Sequence, residues 1–314
     1  MATQVVVTLD GTVHDGSEPL LHADDLSVVR GDGVFETVLV RDGRAVLLDK
    51  HLDRLAISAG MLDLPEPDRS AWEAAVEIGV TRWVSTAPKP VPPAHADAMM
   101  RLVYTRGREG GGPPTCFVSI AEVPDRVTAV RNDGVVVVTL GRGYSADFAP
   151  EAPWQLYGAK TLSYATNMAA LRYARSREAD DAIFLSSERY VLEGPRSTVI
   201  VVNDDELHTP PVEQGILRGT TQAALFEVAP KKGFRCFETP LRPADLLTAD
   251  AVWLVSSITL AAHVRELDGL PLRPRRRGEE IPALIDLAIA PEGPSAPAPP
   301  RPRSYPRDRG RWRR

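Results

Sequence analysis

The sequence predicts an α+β chain of two successive units, and three observations predict it. Short β-branched runs with Asp-Gly turns open the chain, ahead of two helical stretches. A polar segment, "PDRVTAVRNDG" (124–134), separates this opening from the rest. Beyond it, continuous apolar runs of strand length alternate with helical periodicity, starting at "GVVVVTL".

In the first unit, "QVVVTLDGTV" is a strand running into an Asp-Gly turn. "ETVLVRDGRAVLL" repeats the device, and two apolar runs around Asp42-Gly43 predict a hairpin. "DKHLDRLAISAGMLDL" is apolar at Leu52, Leu55, Ala56 and Ala59, a helical spacing. "DRSAWEAAVEIGVTRWV" predicts a second helix with an Asp at its start. "VPPAHADAMM" marks a loop, and "MMRLVYTRG" and "CFVSIAEV" are strands. This unit spans 1–123, with 124–134 as a connector.

In the second unit, 135–290, "SYATNMAALRYARSRE" predicts a helix. "DAIFLSSERYVLEG" and "STVIVVNDDELHTPP" predict strands or hairpin arms. "TTQAALFEVAPKKGF" predicts a Thr-capped helix, "AVWLVSSITLAAHV" and "RELDGLPL" close the body, and "EEIPALIDLAIA" is a last helix. The segment 291–314 is rich in Pro and Arg, has almost nothing to bury, and is expected to be disordered.

Composition excludes several classes. Hydrophobic residues make up 43% and charged residues 25%, ordinary for a globular protein, and the net charge of −5 gives no general affinity for nucleic acid. No apolar run has the length of a membrane span, and the N-terminus lacks the pattern of a signal peptide. Cys116 and Cys236 make neither a disulfide framework nor a metal spacing, and the six histidines form no ligand pair. A cytoplasmic protein without a structural metal is expected.

Lysine usage singles out one residue. Of 37 Lys and Arg only five are lysines: Lys50, Lys89, Lys160, Lys231 and Lys232. Four sit in polar or turn-like contexts, whereas Lys160, in "YGAKTLSYATN", lies among small and apolar residues ahead of a helix. Desolvated lysine can lose its proton near neutral pH and arginine cannot, so Lys160 is a candidate amine nucleophile; a surface lysine at a helix start is the plain alternative. Further on, Glu193 ends a strand-like run before a Gly-Pro. It is either a solvated hairpin end or, pointing inward, a partner for a ring nitrogen. In "EQGILRGTTQ", Gly215 and Gly219 make a flexible loop into a helix starting at Thr220 or Thr221. Helix starts favour phosphate, although a Thr N-cap with no ligand has the same pattern. Leu217 between the glycines can cover a flat ring. Ser256 and Ser257 add a hydroxyl pair between an apolar strand and a helix-like segment.

In that order, an amine, a carboxylate, a Gly-Thr helix start and a hydroxyl pair match the needs of pyridoxal 5'-phosphate: a lysine for the aldehyde, an acid for the pyridine nitrogen, donors for the phosphate. The motifs "RGDGVFET" (30–37), "HLDRL" (51–55), "KTLSY" (160–164), "LEGPRST" (192–198) and "LRGTTQ" (217–222) carry a resemblance over roughly residues 5 to 273. The chain resembles the fold-type IV (class IV) pyridoxal-phosphate enzymes, which include branched-chain aminotransferases, D-amino acid aminotransferases and aminodeoxychorismate lyases.

The resemblance implies a small α/β domain followed by a larger β-barrel-like domain with helices. Lys160 would be the Schiff-base lysine, Arg54 a phosphate ligand, Glu193 the pyridinium partner and Leu217 the ring-packing residue. Thr220, Thr221 and Ser257 would bind phosphate and Tyr164 the ring hydroxyl. Arg30, Phe35, Tyr104 and Arg106 are candidate substrate contacts. A homodimer acting on a small molecule is implied, with the neighbouring subunit partly closing the active site. Thr198 stands where many members carry asparagine, and "TTQ" replaces a commoner Ile-Thr-Arg pattern. "GDGVFET" and the histidine-free "YTRGREGGGPP" look more like the lyases than the D-amino acid or branched-chain transaminases. The expected reaction is therefore conversion of 4-amino-4-deoxychorismate to 4-aminobenzoate and pyruvate, with transamination of D- or branched-chain amino acids as the alternative.

Overall fold

The computed structural model describes residues 4–86 and 96–291. Of the loop expected over 91–100, residues 91–95 lie outside the described residues, as does nearly all of the Pro/Arg-rich tail, while Asp97–Met100 are strand instead, because their alternation buries Ala98 and Met100. The chain first builds β1 (Gln4–Thr8), β2 (Val13–Asp15), α1 (Leu26–Arg30), β3 (Gly33–Arg41), β4 (Arg44–Ala45), α2 (Leu48–Met61), α3 (Arg69–Thr86), β5 (Asp97–Thr105) and β6 (Thr115–Glu122). Its strands form one antiparallel sheet in the order β2-β1-β6-β5-β3-β4. Period-2 alternation sends Val34, Val38, Val40, Met100, Leu102 and Ile120 to one face, where they pack on Leu52 and Leu55 of α2 and Trp72 and Val76 of α3. The hairpin at Asp42-Gly43 forms, with both turn residues at positive φ, but its second arm is only two residues long. Leu47 at φ 54 turns the chain into α2, because the apolar spacing there is already helical.

The expected connector is itself helical: α4 (Arg126–Asp133) buries Val127, and Val130 packs on the second core. Then follow β7 (Val135–Gly141), α5 (Ala165–Ser176), β8 (Asp181–Leu185), β9 (Thr198–Asn203), β10 (Glu206–Thr209), α6 (Thr220–Val228), β11 (Arg235–Glu238), α7 (Pro243–Thr248), β12 (Ala251–Ser256), β13 (Leu260–Leu267), β14 (Leu270–Pro271) and α8 (Ile281–Ile289). A curled mixed sheet runs β11-β10-β9-β12-β13-β7-β8, with β14 paired to β13. Both faces are covered: Val199, Val201, Val252 and Leu254 line one core, while Ile200, Val202, Trp253 and Val255 pack with α8 and with Leu39 of the first sheet. Burial on two sides is why these strands read as unbroken apolar runs.

Two local expectations are corrected. The N-cap of α6 is Gly219, with no side-chain cap, and Thr220 is the first helical residue. A Cβ at Gly219 would lie 2.4 Å from Thr198 Oγ1, so a capping side chain has no room. The segment after Ser257 is the strand β13, joined to β12 by a tight turn, because its apolar residues pair across the sheet from Val255 and Leu254. Among the described residues no helix is long and apolar enough to cross a membrane.

Candidate active site

One face of α2 builds half of the site. His51, Arg54 and Ser58, at i, i+3 and i+7, lie on one side of the helix and are buried beside its apolar stripe. Glu36 reaches them from β3 and is fully buried. Arg54 grips it in a fork, Nε to Oε1 at 2.8 Å and Nη2 to Oε2 at 2.7 Å, and Arg54 Nη1 donates to the Arg218 carbonyl at 2.7 Å. One N–H hydrogen remains on each Nη for a further acceptor. Burial by itself would raise the Glu36 carboxyl, but the Arg54 charge and hydrogen bonds, aided by His51, outweigh it and hold the group well below the usual range. His51 Nδ1 lies 2.7 Å from Glu36 Oε2. Burial lowers the His51 pKa, with Arg54 and Lys160 adding to it against Glu36, so the ring is neutral, Nδ1–H donates to Glu36 and Nε2 accepts. Thr220 Oγ1 and Ser257 Oγ each lie 3.3 Å from His51 Nε2 and 3.3 Å from one another. Thr221, also buried, follows in the first turn of α6. Hydroxyls, free N–H groups at a helix start and an oriented guanidinium thus meet in one cup, which suits a phosphate.

Lys160 stands beside this cup. Its N–H donates to Ser58 Oγ at 3.1 Å, and its carbonyl accepts from Phe35 N–H at 3.0 Å, pinning the segment to α2 and β3. Lys160 Nζ lies 4.4 Å from the Phe35 ring centre and 5.5 Å from that of Tyr164, and the two rings meet edge to face. Desolvation and then Arg54 bring the amine down to about 8, against Glu36 and Glu193, which favour the charged form. A substantial neutral fraction at physiological pH is what an amine nucleophile or base requires.

Glu193 closes the other end. Backbone pairing of Phe184 with Leu192 and Glu193 turns it inward. Its Oε2 accepts from Leu217 N–H at 3.1 Å and its Oε1 from Arg142 Nη1 at 3.3 Å. Arg142 stacks over Phe184, 4.5 Å from its ring centre. Burial pushes the Glu193 carboxyl up, and Arg142, Leu217 N–H and Lys160 offset this only in part. The Tyr164 hydroxyl donates to the Pro195 carbonyl at 2.5 Å and keeps its lone pairs for an incoming donor; burial raises it to about 12.

The structure therefore gathers Lys160, Arg54, Tyr164, Glu193, Leu217, Thr220, Thr221, Ser257 and Phe35. It does not bring in Tyr104, which faces the α2/α3 core opposite Val34 and donates from its hydroxyl to the Pro65 carbonyl at 2.8 Å. The strand alternates, so Tyr104 and Phe35 point to opposite faces. Arg106 is tied to Asp32 at 2.7 Å and to the Leu62 carbonyl at 2.5 Å, and Arg108 to Asp24 at 2.9 Å. Arg30 pairs with Glu109 on the surface. Glu36, His51, Ser58 and Arg142 escaped the sequence reading. The signal for the first three was present: a carboxylate in the apolar alternation Val34-Glu36-Val38, and a polar i, i+3, i+7 stripe beside an apolar one.

Residues 33–267 match the family model of amino-transferase class IV. A bifunctional aminodeoxychorismate lyase / D-amino acid transaminase of Mycobacterium tuberculosis is 52% identical over 292 residues, covering 91% of this chain and 99% of that protein. A D-alanine aminotransferase of Bacillus licheniformis is 25% identical over 272 residues, covering 84% and 88%. Among solved structures, a hypothetical aminotransferase from M. tuberculosis in an α-ketoglutarate- and PMP-bound form has a TM-score of 0.87 at 53% identity, covering 91% of this chain and 98% of that one. A fold IV transaminase from Curtobacterium pusillum has a TM-score of 0.84 at 42% identity, with the same coverages. A family match over most of the chain, a half-identical relative along nearly its whole length and a partly buried amine beside a phosphate-shaped cup lead to one conclusion: the chain belongs to the class IV aminotransferase family and is a pyridoxal-phosphate-dependent enzyme.

Proposed function

We propose that the protein converts 4-amino-4-deoxychorismate to 4-aminobenzoate and pyruvate, and that the same site transaminates D-amino acids with 2-oxoglutarate as acceptor. The observation that carries the chemistry is the Lys160 amine, brought down to about 8 between two aromatic rings. The bifunctional name of the 52%-identical relative favours keeping both reactions. In this reading Arg54, Thr220, Thr221 and Ser257 would hold the phosphate, Leu217 would pack on the ring and Tyr164 would bond its hydroxyl. Bound there, the cofactor supplies an electron sink for the amine-bearing carbon of the substrate. Lys160 removes the proton from that carbon. Glu193 keeps the ring nitrogen protonated. Phe35 and Tyr164 keep water from the amine.

In the lyase reaction the C–O bond to the enolpyruvyl group breaks, the ring becomes aromatic, and Lys160 returns its proton as pyruvate forms. In transamination Lys160 would hold and return that proton within the same site, and an oxo acid would be the product. The division into domains over 1–123 and 135–290, joined through 124–134, belongs to the same reading and is supported by one core that each sheet packs for itself, beside the core in which Leu39 meets the second sheet. So does a homodimer. The test is a side-by-side assay: 4-aminobenzoate release from aminodeoxychorismate against oxo acid formation from D-alanine, and from leucine, with 2-oxoglutarate. The lyase reaction is expected to be the faster. Ready transamination without any 4-aminobenzoate would leave the transaminase reading alone.

A further inference from the structure

A cavity of ≈ 40 Å³ has a lining that includes none of the residues gathered around Lys160 but is built from their neighbours in the chain. It is lined by Arg126 of α4, Asp181 of β8, Arg196 and Ser197 after Glu193, and Ser256 and Thr259 of the β12–β13 turn. Two chain segments that line it also reach the site. The Pro195 carbonyl, next to Arg196, accepts from the Tyr164 hydroxyl at 2.5 Å and from Asn167 Nδ2 at 2.7 Å. Ser257 sits in the same turn as Ser256 and Thr259. Tyr164 faces Lys160 with its ring and lies within the field of Arg196 and Asp181.

Charge, hydrogen bonding and size point to one kind of occupant. Asp180, also on the rim, is engaged by Val136 N–H at 2.8 Å and by Arg265 at 3.7 Å. That leaves Asp181 alone against two guanidiniums, with Arg175 adding positive charge near Arg126. The Asp181–Arg196 separation is 4.0 Å, an ion pair without a hydrogen bond, so Arg196 retains donors. The Ser197 hydroxyl is buried with no hydrogen-bond partner among the described residues. It rests against the backbone of Gly194, where a Cβ would come within 2.3 Å of it. Buried polar groups are seldom left so. The volume holds two or three waters, or a carboxylate, and excludes a ring.

We propose that this cavity is a carboxylate subsite that takes the distal carboxylate of a dicarboxylic substrate or acceptor, with Arg196 and Arg126 supplying charge and Ser197 a hydrogen bond. The assignment rests on the Lys160 chemistry for its biological use, but its test does not need turnover. Glutarate, an unreactive five-carbon dicarboxylate, and butyrate, a monocarboxylate, are titrated into the holoenzyme by calorimetry, with wild type, Arg196→Gln, Arg126→Gln and Ser197→Ala compared. Wild type is expected to bind glutarate more tightly than butyrate. Arg196→Gln should weaken glutarate by about tenfold or more, the usual value of a charged hydrogen bond, and leave butyrate unchanged. Arg126→Gln and Ser197→Ala should act in the same direction and more weakly. An unchanged cofactor absorbance band checks that each variant is folded. Equal binding of the two acids by wild type, or no selective loss in Arg196→Gln, overturns the subsite. Absence of 4-aminobenzoate and oxo acid in the turnover assay would instead overturn the function proposed above, whatever glutarate does.

Discussion

Glu36, fully buried, and Glu193, whose side chain is 14% exposed, both lie within the field of Lys160, yet their carboxyls shift in opposite directions. Burial pushes both up; the donors decide the outcome. Glu36 receives a two-pronged guanidinium at 2.7–2.8 Å and an imidazole N–H at 2.7 Å. Glu193 receives one guanidinium contact at 3.3 Å and one backbone N–H at 3.1 Å. The first is a fixed anion that holds Arg54 and His51 in place. The second is pushed up by burial and, in the function proposed above, would share a proton with a ring nitrogen. The more deeply buried of the two is thus the one held low, so desolvation alone says little about what a carboxylate does, and the count and closeness of donors says much.

The hardest blow to this contrast is Glu36→Gln. It leaves Arg54 buried without its counter-charge, and a loss of about 3–5 kcal/mol is expected, read by chemical denaturation, together with loss of bound cofactor. A stable, cofactor-loaded variant would show that Glu36 is dispensable. The pH signs also separate the two residues. Because the Glu36 pKa is depressed, its stabilisation is in place above the unfolded value, about 4.3, and fades as pH falls toward the folded one. The raised Glu193 does the reverse, and its cost to stability grows as pH rises from that value.

A smaller effect is expected for Glu193→Gln: a folded protein that retains cofactor, with proton removal slowed roughly a hundredfold, the lower range for a positioned proton-transfer group. Single-turnover rates equal to wild type would remove Glu193 from the mechanism. Smaller still is the titration of the amine. Cofactor capture by the apoenzyme should rise with pH around a midpoint of about 8, and the midpoint should fall in Glu193→Gln, because a charge favouring the ammonium is gone. A midpoint near that of free lysine would contradict the desolvation of Lys160. The least effect belongs to Arg142→Met. It should raise the Glu193 carboxyl further and move the acid limb of the pH–rate profile upward, with little change at the optimum.

Much of the fold was legible because its signals are local. Hairpin turns, the α2 and α3 periodicities and the unbroken runs of β9 and β12 each occupy a short window. Errors fell where packing overrode local pattern: α4 is a helix because Val127 and Val130 reach the second core, and β4 stops early because α2 begins. At the site, Lys160 and Glu193 stood out by residue type and order. Tyr104 and Arg106 were chosen by proximity in sequence to a strand end, and strand alternation and ion pairing within the same chain turned them elsewhere.

By itself the sequence determined that one lysine in an arginine-rich chain lies in an apolar setting, and that a Gly-Thr helix start and a late carboxylate follow it. These depend on composition and order, which survive without coordinates. Only the tertiary structure decided that Glu36, His51 and Arg54 form one buried cluster, that Arg142 stands behind Glu193, and that Arg126 and Arg196 meet across a cavity. Each of these contacts joins separate elements. Electrostatic and hydrogen-bond energies depend on ångström separations and burial, which no spacing along the chain encodes.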